Sequence, residues 1–308
     1  MEYREHRLPL DADRGHRLDP LIECVWFLSA APGGDAAPPA IQRILPDGCA
    51  ELIFHFRERF HAVSSSGLQQ QPAAFLAGLL TSPLVVAPAA DVDTMAVRFR
   101  PGGAFPFFRT PMSALTDRCV PLADLWTPRD ASRLWHQLGL RQSSGQAARE
   151  DDGRRIAIIV QELQLHLAAR DEDRVTAAAI AALVRTAGRA RIDAIAGRTG
   201  TTTRQLQRRF VERVGVGPKT LARILRFQRT LLQRATGGPS HADWVRVAFE
   251  CGYADQSHLI HDYAAFAGET PASLLAAEGE LSAYFTAPAR LAGFFGLPSC
   301  ITAVPQKP

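Results

Sequence analysis

Residues 251–262, CGYADQSHLIHD, place one cysteine, two histidines and two aspartates within a dozen positions. Thiolate, imidazole and carboxylate are the donors of a zinc site, and the same groups serve acid–base and nucleophilic chemistry. A structural zinc site takes four ligands, contributed as pairs from separate parts of a chain. No second Cys/His pair returns to complete this one. The remaining cysteines, Cys24, Cys49, Cys119 and Cys300, are scattered, and the odd total of 5 suits reduced thiols of a cytoplasmic protein better than disulfides. His55 and His61 are the other candidate ligands. Their H-x5-H spacing lacks the close His pair with downstream Glu and His that an iron-holding β-scaffold needs, so both are expected as ordinary strand-edge or surface residues. Neither a metal nor a cofactor is expected.

The segment has a counterpart upstream. AGRTGTTTRQLQRRFVERVGVGPKTL (196–221) aligns with the stretch beginning AFECGYADQSHLIHDYAAFAGETP at Ala248. Both open Ala-x3-Gly, at Ala196/Gly200 and Ala248/Gly252, and leucines follow at Leu206 and Leu259. The spacing then agrees through Phe210/Tyr263, Gly215/Gly268, Pro218/Pro271 and Leu221/Leu274. This is an internal duplication of one supersecondary unit. In each copy a short helix ends at a glycine, and Thr202 or Asp255 caps the next helix with a side-chain oxygen. Leu206, Phe210 and Val214 bury one side of that helix, as do Leu259, Tyr263 and Phe266 in the second copy. A second glycine stops it, and a proline starts the following helix at a first-turn position. Two helices across a glycine turn with one dry face form a helix-turn-helix, whose second helix enters the major groove of DNA. On that reading His258 and His261 belong to a surface, and Cys251 is a small core residue.

Charge points the same way. Residues 1–184 carry 19 Lys/Arg and 22 Asp/Glu, residues 185–234 carry 13 and 2, and residues 235–278 carry 1 and 6. A fifty-residue block at +11 in an otherwise balanced chain of 308 residues suits a polyanion. PKTLARILRFQRTLLQRA (218–235) reads as one continuous helix between the copies. Its length of roughly 27 Å can hold two recognition helices near one DNA turn apart. Arg223, Arg226 and Arg229 on it are candidates for backbone contact.

The doubled motif resembles the DNA-binding domain of AraC-type bacterial transcription regulators over about residues 185–278, on Gly-aromatic-x-Asp-Gln-Ser-His-Leu…Gly-x-Thr-Pro. ILPDGCAELIF (44–54) and AVRFRPGGAFPFF (96–108) resemble the β-rich module attached to one subset of them. The resemblance implies promoter DNA and RNA polymerase as partners. It also implies base reading by Arg204, Gln207 and Arg208, which lie away from the Leu206/Phe210 face. Arginine suits guanine and glutamine adenine. Thr202, Thr203, Gln205 and Arg209 flank them and are expected on phosphates. In the second copy Gln256, Ser257, His258 and His261 are the candidates. This helix holds no Arg or Lys, its segment is acidic, and its grip is expected to be the weaker.

The expected fold is multidomain α+β. A small cupin-like β-barrel or sandwich (1–125) precedes a helical linker (126–184), the tandem helix-turn-helix domain (185–278) and a tail (279–308). Short apolar runs at 21–28, 50–56, 83–88 and 94–99 between turn signals predict the strands. Residues 141–153 read as an exposed loop. Over 153–170, Ile156, Ile159, Val160, Leu163 and Leu167 mark one helical stripe, facing either a twin subunit or the subunit's own interior. Effector sensing and homodimerisation are the roles expected of the first domain, and a cupin-like metal-dependent enzyme fused to a DNA-binding module is the alternative. Arg98 and Arg100, either side of Phe99 and on one strand face, are candidate contacts to an anionic effector. No long apolar run predicts a membrane span, and the charged start predicts no secretory signal.

Overall fold

The computed structural model describes residues 2–7, 17–30, 41–140, 148–167, 173–235, 244–276 and 295. The expected tail, Phe295 apart, and the loop expected at 141–147 lie outside the described residues.

The N-terminal part is built from two antiparallel sheets. The strands are β1 (Glu2–His6), β2 (Ile22–Ala30), β3 (Gln42–Ile44), β4 (Glu51–His55), β5 (His61–Ser64), β6 (Gly67–Gln70), β7 (Ala74–Ala77), β8 (Leu84–Ala87), β9 (Val92–Phe99) and β10 (Cys119–Pro121). The larger sheet has the order β1-β2-β9-β4-β7-β10 and the smaller β3-β8-β5-β6, so the expected barrel or sandwich takes the open, two-sheet form. The central strand β9 is buried along its whole length, and alternation gives each face its own core. Met95, Val97 and Phe99 join Val25, Phe27, Leu52, Phe54 and Leu76 on one side. Ala96 joins Cys24, Trp26 and Leu28 on the other, where Val86 of the smaller sheet and Phe60, just before β5, meet them. A strand covered on both faces reads as one apolar run, which is why β2 and β9 were conspicuous in the sequence.

Helices cover the outer face of the larger sheet: α1 (Phe105–Phe108), α2 (Leu122–Leu125), α3 (Pro128–Gly139) and α4 (Ala148–His166). Ile159 and Leu163 of the expected stripe are fully buried there, and Ile156, Val160 and Leu167 pack against the same core. The stripe therefore faces the subunit's own interior, and each fully buried aliphatic side chain contributes about 1.5–3 kcal/mol. The expectation of a loop over 141–153 is corrected at its second half, because residues 148–153 open α4. Asp152 among them is buried. Asp152 accepts from Arg4 Nε at 2.9 Å. Arg155 grips Asp93 of β9 through both terminal nitrogens, at 2.9 and 3.1 Å. Its guanidinium lies 4.3 Å from the centroid of the Phe56 ring.

The remaining helices are α5 (Arg174–Arg185), α6 (Ile192–Arg198), α7 (Thr203–Arg213), α8 (Pro218–Ala235), α9 (Trp244–Glu250), α10 (Gln256–Ala267) and α11 (Pro271–Ala276). They share one core, running from Ala179 and Leu183 of α5 through Leu206, Phe210 and Leu225 to Leu259, Tyr263 and Phe266. The region expected as a linker is thus divided by packing: α3 and α4 go with the sheets and α5 with the C-terminal helices. Leu45, Cys49 and Leu79 of the β-rich part enter the C-terminal core as well.

The Arg155–Asp93 pair is almost fully buried on both sides. Removing one partner strands the other charge in a dry environment. Asp93→Ala is expected to lower unfolding free energy by about 3–5 kcal/mol in a urea titration, whereas exchange of an exposed acid such as Glu212 should shift it by under about 0.5 kcal/mol.

Candidate nucleic-acid interface and the cavity behind it

Helix α7 is entered through a capping box. Thr202 Oγ1 accepts from Gln205 N at 3.2 Å, and Gln205 Oε1 accepts from Thr202 N at 3.1 Å. The cap fixes the start of the helix, while Leu206 and Phe210, both fully buried, fix its rotation. What remains outward is the stripe Thr203, Arg204, Gln207 and Arg208, all exposed. Among the described residues neither Arg204 nor Arg208 has a hydrogen-bond or ion-pair partner. Gln207 lies back against Gly217, where an added Cβ would come within 2.4 Å of its Nε2.

Three of the expected phosphate ligands, Thr202, Gln205 and Arg209, already have partners within the protein. Gln205 holds the cap, and its Oε1 also accepts from Thr201 and Thr202 hydroxyls, at 3.1 Å each. Arg209 reaches Asp173 at 3.0 Å, and Arg213 reaches the same carboxylate at 3.1 Å. Asp173 is itself the N-cap of α5, accepting from Thr176 N. Although burial opposes it, the bonds from Thr176 and Arg209 hold this carboxyl below its ordinary range. Arg209 is therefore a brace between α7 and α5.

The second unit repeats the plan. Asp255 caps α10 by accepting from His258 N at 2.8 Å. Leu259, Tyr263 and Phe266 are buried; Ser257, His258 and His261 are exposed and Gln256 is half-buried. The acidity expected to repel phosphate is largely consumed within the protein. Asp262 is buried against Arg223, at 2.7 Å, Glu250 pairs with Arg246, and Glu269 pairs with Arg43 of β3. Arg223 and Arg226, expected as backbone contacts, face inward: Arg226 donates to Gly188 O at 2.9 Å and lies over Tyr253. Cys251 is a buried core residue as expected, its thiol pushed up to about 12 by burial.

The β-rich part touches both recognition helices at the same point of the repeat. Thr116 Oγ1 donates to Gly215 O, just past α7, at 3.0 Å. Gly268, just past α10, faces Pro83, whose Cγ would lie 3.6 Å from an added Cβ. Between them Gln228 of α8 donates to Pro46 O at 2.6 Å, and Gly48 meets Leu221. At Gly215 (φ +99°) a Cβ would lie 2.6 Å from Thr116 Oγ1, so both the backbone and the contact require glycine.

The docking segments border a cavity of ≈ 100 Å³ between the two sheets, walled by Trp26, Phe60, Phe75 and Val86 and by Leu45, Asp47 and Cys49 of the docking loop. His55 lines it and is buried, which corrects the expectation of a strand-edge or surface residue. Its Nδ1 accepts from the Thr94 hydroxyl at 2.9 Å, and its Nε2 donates to Gln71 Oε1 at 3.1 Å. Both ring nitrogens are thereby used, while His61 stands half-buried on β5. Among the described residues no group of three or more His, Cys, Asp or Glu is placed to hold a metal ion. The two candidate effector arginines part company. Arg98 lines this cavity, but its three guanidinium nitrogens lie on Glu23, Asp47 and Glu51, at 2.9, 2.6 and 2.8 Å. Arg100 donates to Asp19 O and borders a separate cleft of ≈ 650 Å³ beside α5. The expectation of one shared face is corrected, because β9 ends at Phe99 and a turn opens at Arg100, whose carbonyl accepts from Gly103 N at 2.7 Å.

Residues 195–277 match the family model of a helix-turn-helix domain, and residues 15–121 match that of a domain of unknown function, DUF6597. No curated protein gives a match. Among solved structures, ToxT from Vibrio cholerae is similar at 12% identity, over 89% of this chain and 98% of that one, with a TM-score of 0.41. The wild-type ToxT of strain SCE256 bound to an unsaturated fatty acid is similar at 14% identity, over 82% and 93%, with a TM-score of 0.39. Among the described residues no helix is long and apolar enough to cross a membrane.

Burial drives His55 down to about 4. Its unfolded value is near 6.5, so between those limits the unfolded chain binds a proton that the folded chain refuses. The associated stability is complete above about pH 6.5 and is lost as pH falls towards 4. Relative to His55→Gln, the parent protein should lose about 2 kcal/mol more between pH 7 and pH 5, measured by urea unfolding at both values.

Proposed function

We propose, for a chain whose residues 195–277 are a helix-turn-helix domain of the AraC type, a sequence-specific transcription regulator that reads two successive major grooves of promoter DNA. The observation that carries this is the pair Arg204 and Arg208, exposed and, among the described residues, unpaired, on a capped helix whose neighbouring arginines are spent on Asp173. In the groove, each can fork onto guanine O6 and N7, a contact worth about 1–3 kcal/mol of discrimination. Thr203, beside the first free amides of the helix, meets phosphate, since those amides and the helix dipole favour anions there, while Thr202 holds the cap. Gln207 reads a base after leaving its seat on Gly217. The second helix adds Gln256, Ser257, His258 and His261, polar and without Arg or Lys, so it supplies less of the affinity.

Helix α8 sets the distance between the two reading helices. Its 18 residues span about 27 Å, close to the ~34 Å of one DNA turn. The β-rich half is the controlling half. It rests on the end of each recognition helix and on α8 between them, through segments that also border the cavity. A small-molecule effector held there shifts the balance between docking geometries by its difference in affinity for them. The proposed location is the cytoplasm, with RNA polymerase as the partner of the DNA-bound protein and a second copy of the chain on paired sites.

Genome-wide mapping of bound DNA supplies the operator, and fluorescence anisotropy on it tests the partition of arginines. Arg208→Ala should weaken binding about 5- to 150-fold and lower the dependence on salt, with His261→Ala losing less. Arg209→Ala should stay within about threefold of the parent once its lower stability is allowed for. Equal losses at positions 208 and 209 would reject the partition, and no preference for any promoter over random duplex would reject the regulator.

A further inference from the structure

We infer that the cavity between the two sheets binds a small uncharged aromatic molecule, about one ring in size, and turns carboxylates away. Size comes first. At ≈ 100 Å³ the space is on the scale of a single ring; an apolar cavity of about 150 Å³ stays dry and takes benzene. The walls are suited to such a guest. Trp26, Phe60 and Phe75 present ring surfaces, with Leu28, Ile53 and Val86 between them. His55 stacks at a tilt with Phe60 and Phe75, at 5.3 and 5.7 Å between centroids.

The polar groups decide the charge. The hydroxyl of Thr94 donates to His55, and His55 donates to Gln71 Oε1. All three members of this chain are uncharged, and the Gln71 amide nitrogen has no partner among the described residues. It is a donor for one hydroxyl or carbonyl oxygen on the guest, a pattern found in sites where a few polar groups orient an otherwise apolar ligand. Of the two guanidiniums in the wall, Arg118 is exposed and donates to Ala114 O at 3.0 Å, and the buried one, Arg98, would be the natural partner of a carboxylate inside. It is already held by Glu23, Asp47 and Glu51, and Asp47 and Glu51 line the cavity with it. An anionic guest would have to displace one of them from Arg98 and then sit beside it, with burial amplifying the repulsion. The buried cation that looks like an anion receptor is therefore part of an anion filter.

Binding stands on the cavity alone, and its effect on DNA rests on the regulator reading. The test uses the purified full-length protein and three fluorinated probes of one ring each, followed by 19F NMR: 4-fluorobenzyl alcohol, 4-fluorobenzoate and 4-fluorobenzylamine. The alcohol should titrate to saturation, with the benzoate at least about tenfold weaker, which is about 1.4 kcal/mol. Ala77→Leu, which fills the cavity, should abolish binding. Gln71→Leu is the second variant, should the first not fold, and should bind 4-fluorotoluene as well as it binds the alcohol. Benzoate binding at or above the level of the alcohol overturns the inference, as does tightest binding by the amine. So does the absence of saturable alcohol binding up to its solubility. Promoter affinity is measured on the same samples. An alcohol that binds without changing it leaves the site standing and removes the control, while a protein that binds no promoter removes the regulator without touching the cavity.

Discussion

Both recognition helices end on a glycine, and the β-rich half rests against each end. Gly215 and Gly268 adopt the left-handed backbone that stops a helix, and the absence of a side chain lets Thr116 and Pro83 come close. The arrangement explains other features of the chain. Pro46, Gly48 and Leu45 belong to a tight loop that must reach α8, and Gln228 of α8 must be polar to meet it. The loop's other side is cavity wall. A single segment of a few residues thus separates a ring-lined cavity from the helix that joins the two copies of the repeat. Proteins couple sites by such shared, closely packed elements when those elements have two arrangements.

A second constraint is the placement of carboxylates. The chain's basic block makes it attractive to a polyanion, but what each arginine does depends on which acid reaches it. Asp173 takes Arg209 and Arg213, and Asp262 takes Arg223. Glu23, Asp47 and Glu51 take Arg98. Arg204 and Arg208 are left outward. Exposed ion pairs contribute little stability, and these are partly or wholly buried, so they position helices as much as they stabilise them. The same commitments make the basic surface narrower than the charge count suggests.

Local features were legible in the sequence where the physics is local. The repeated glycines, the caps at Thr202 and Asp255, the proline starts and the long α8 all depend on neighbours within a few residues, and each sits where the spacing placed it. Strands β2 and β9 were visible because burial on both faces made them apolar. Strand β6, fully exposed with the sequence GLQQ, carried no such signal, and neither did the short strands β3 and β10, whose identity depends on partners across the sheet. At the opening of α4, Asp152 looked like a loop residue because its partner, Arg4, is far away in the chain. Distance in sequence also hid the roles of the candidate site residues. Nothing near Arg209 announces Asp173, and nothing near Arg98 announces Glu23. His55 looked like a surface histidine because its partners, Gln71 and Thr94, come from other segments.

Leu45, Cys49 and Leu79 lie in the same apolar cluster as the centres of the reading helices. The helical half is therefore no detachable cassette. Cut free at its apparent boundary, it would carry into water a bare greasy patch where those three side chains had been, directly beside the ends of the surfaces meant for DNA. The natural state of that patch is covered, and whatever uncovers it in the intact molecule also changes how sticky the molecule is.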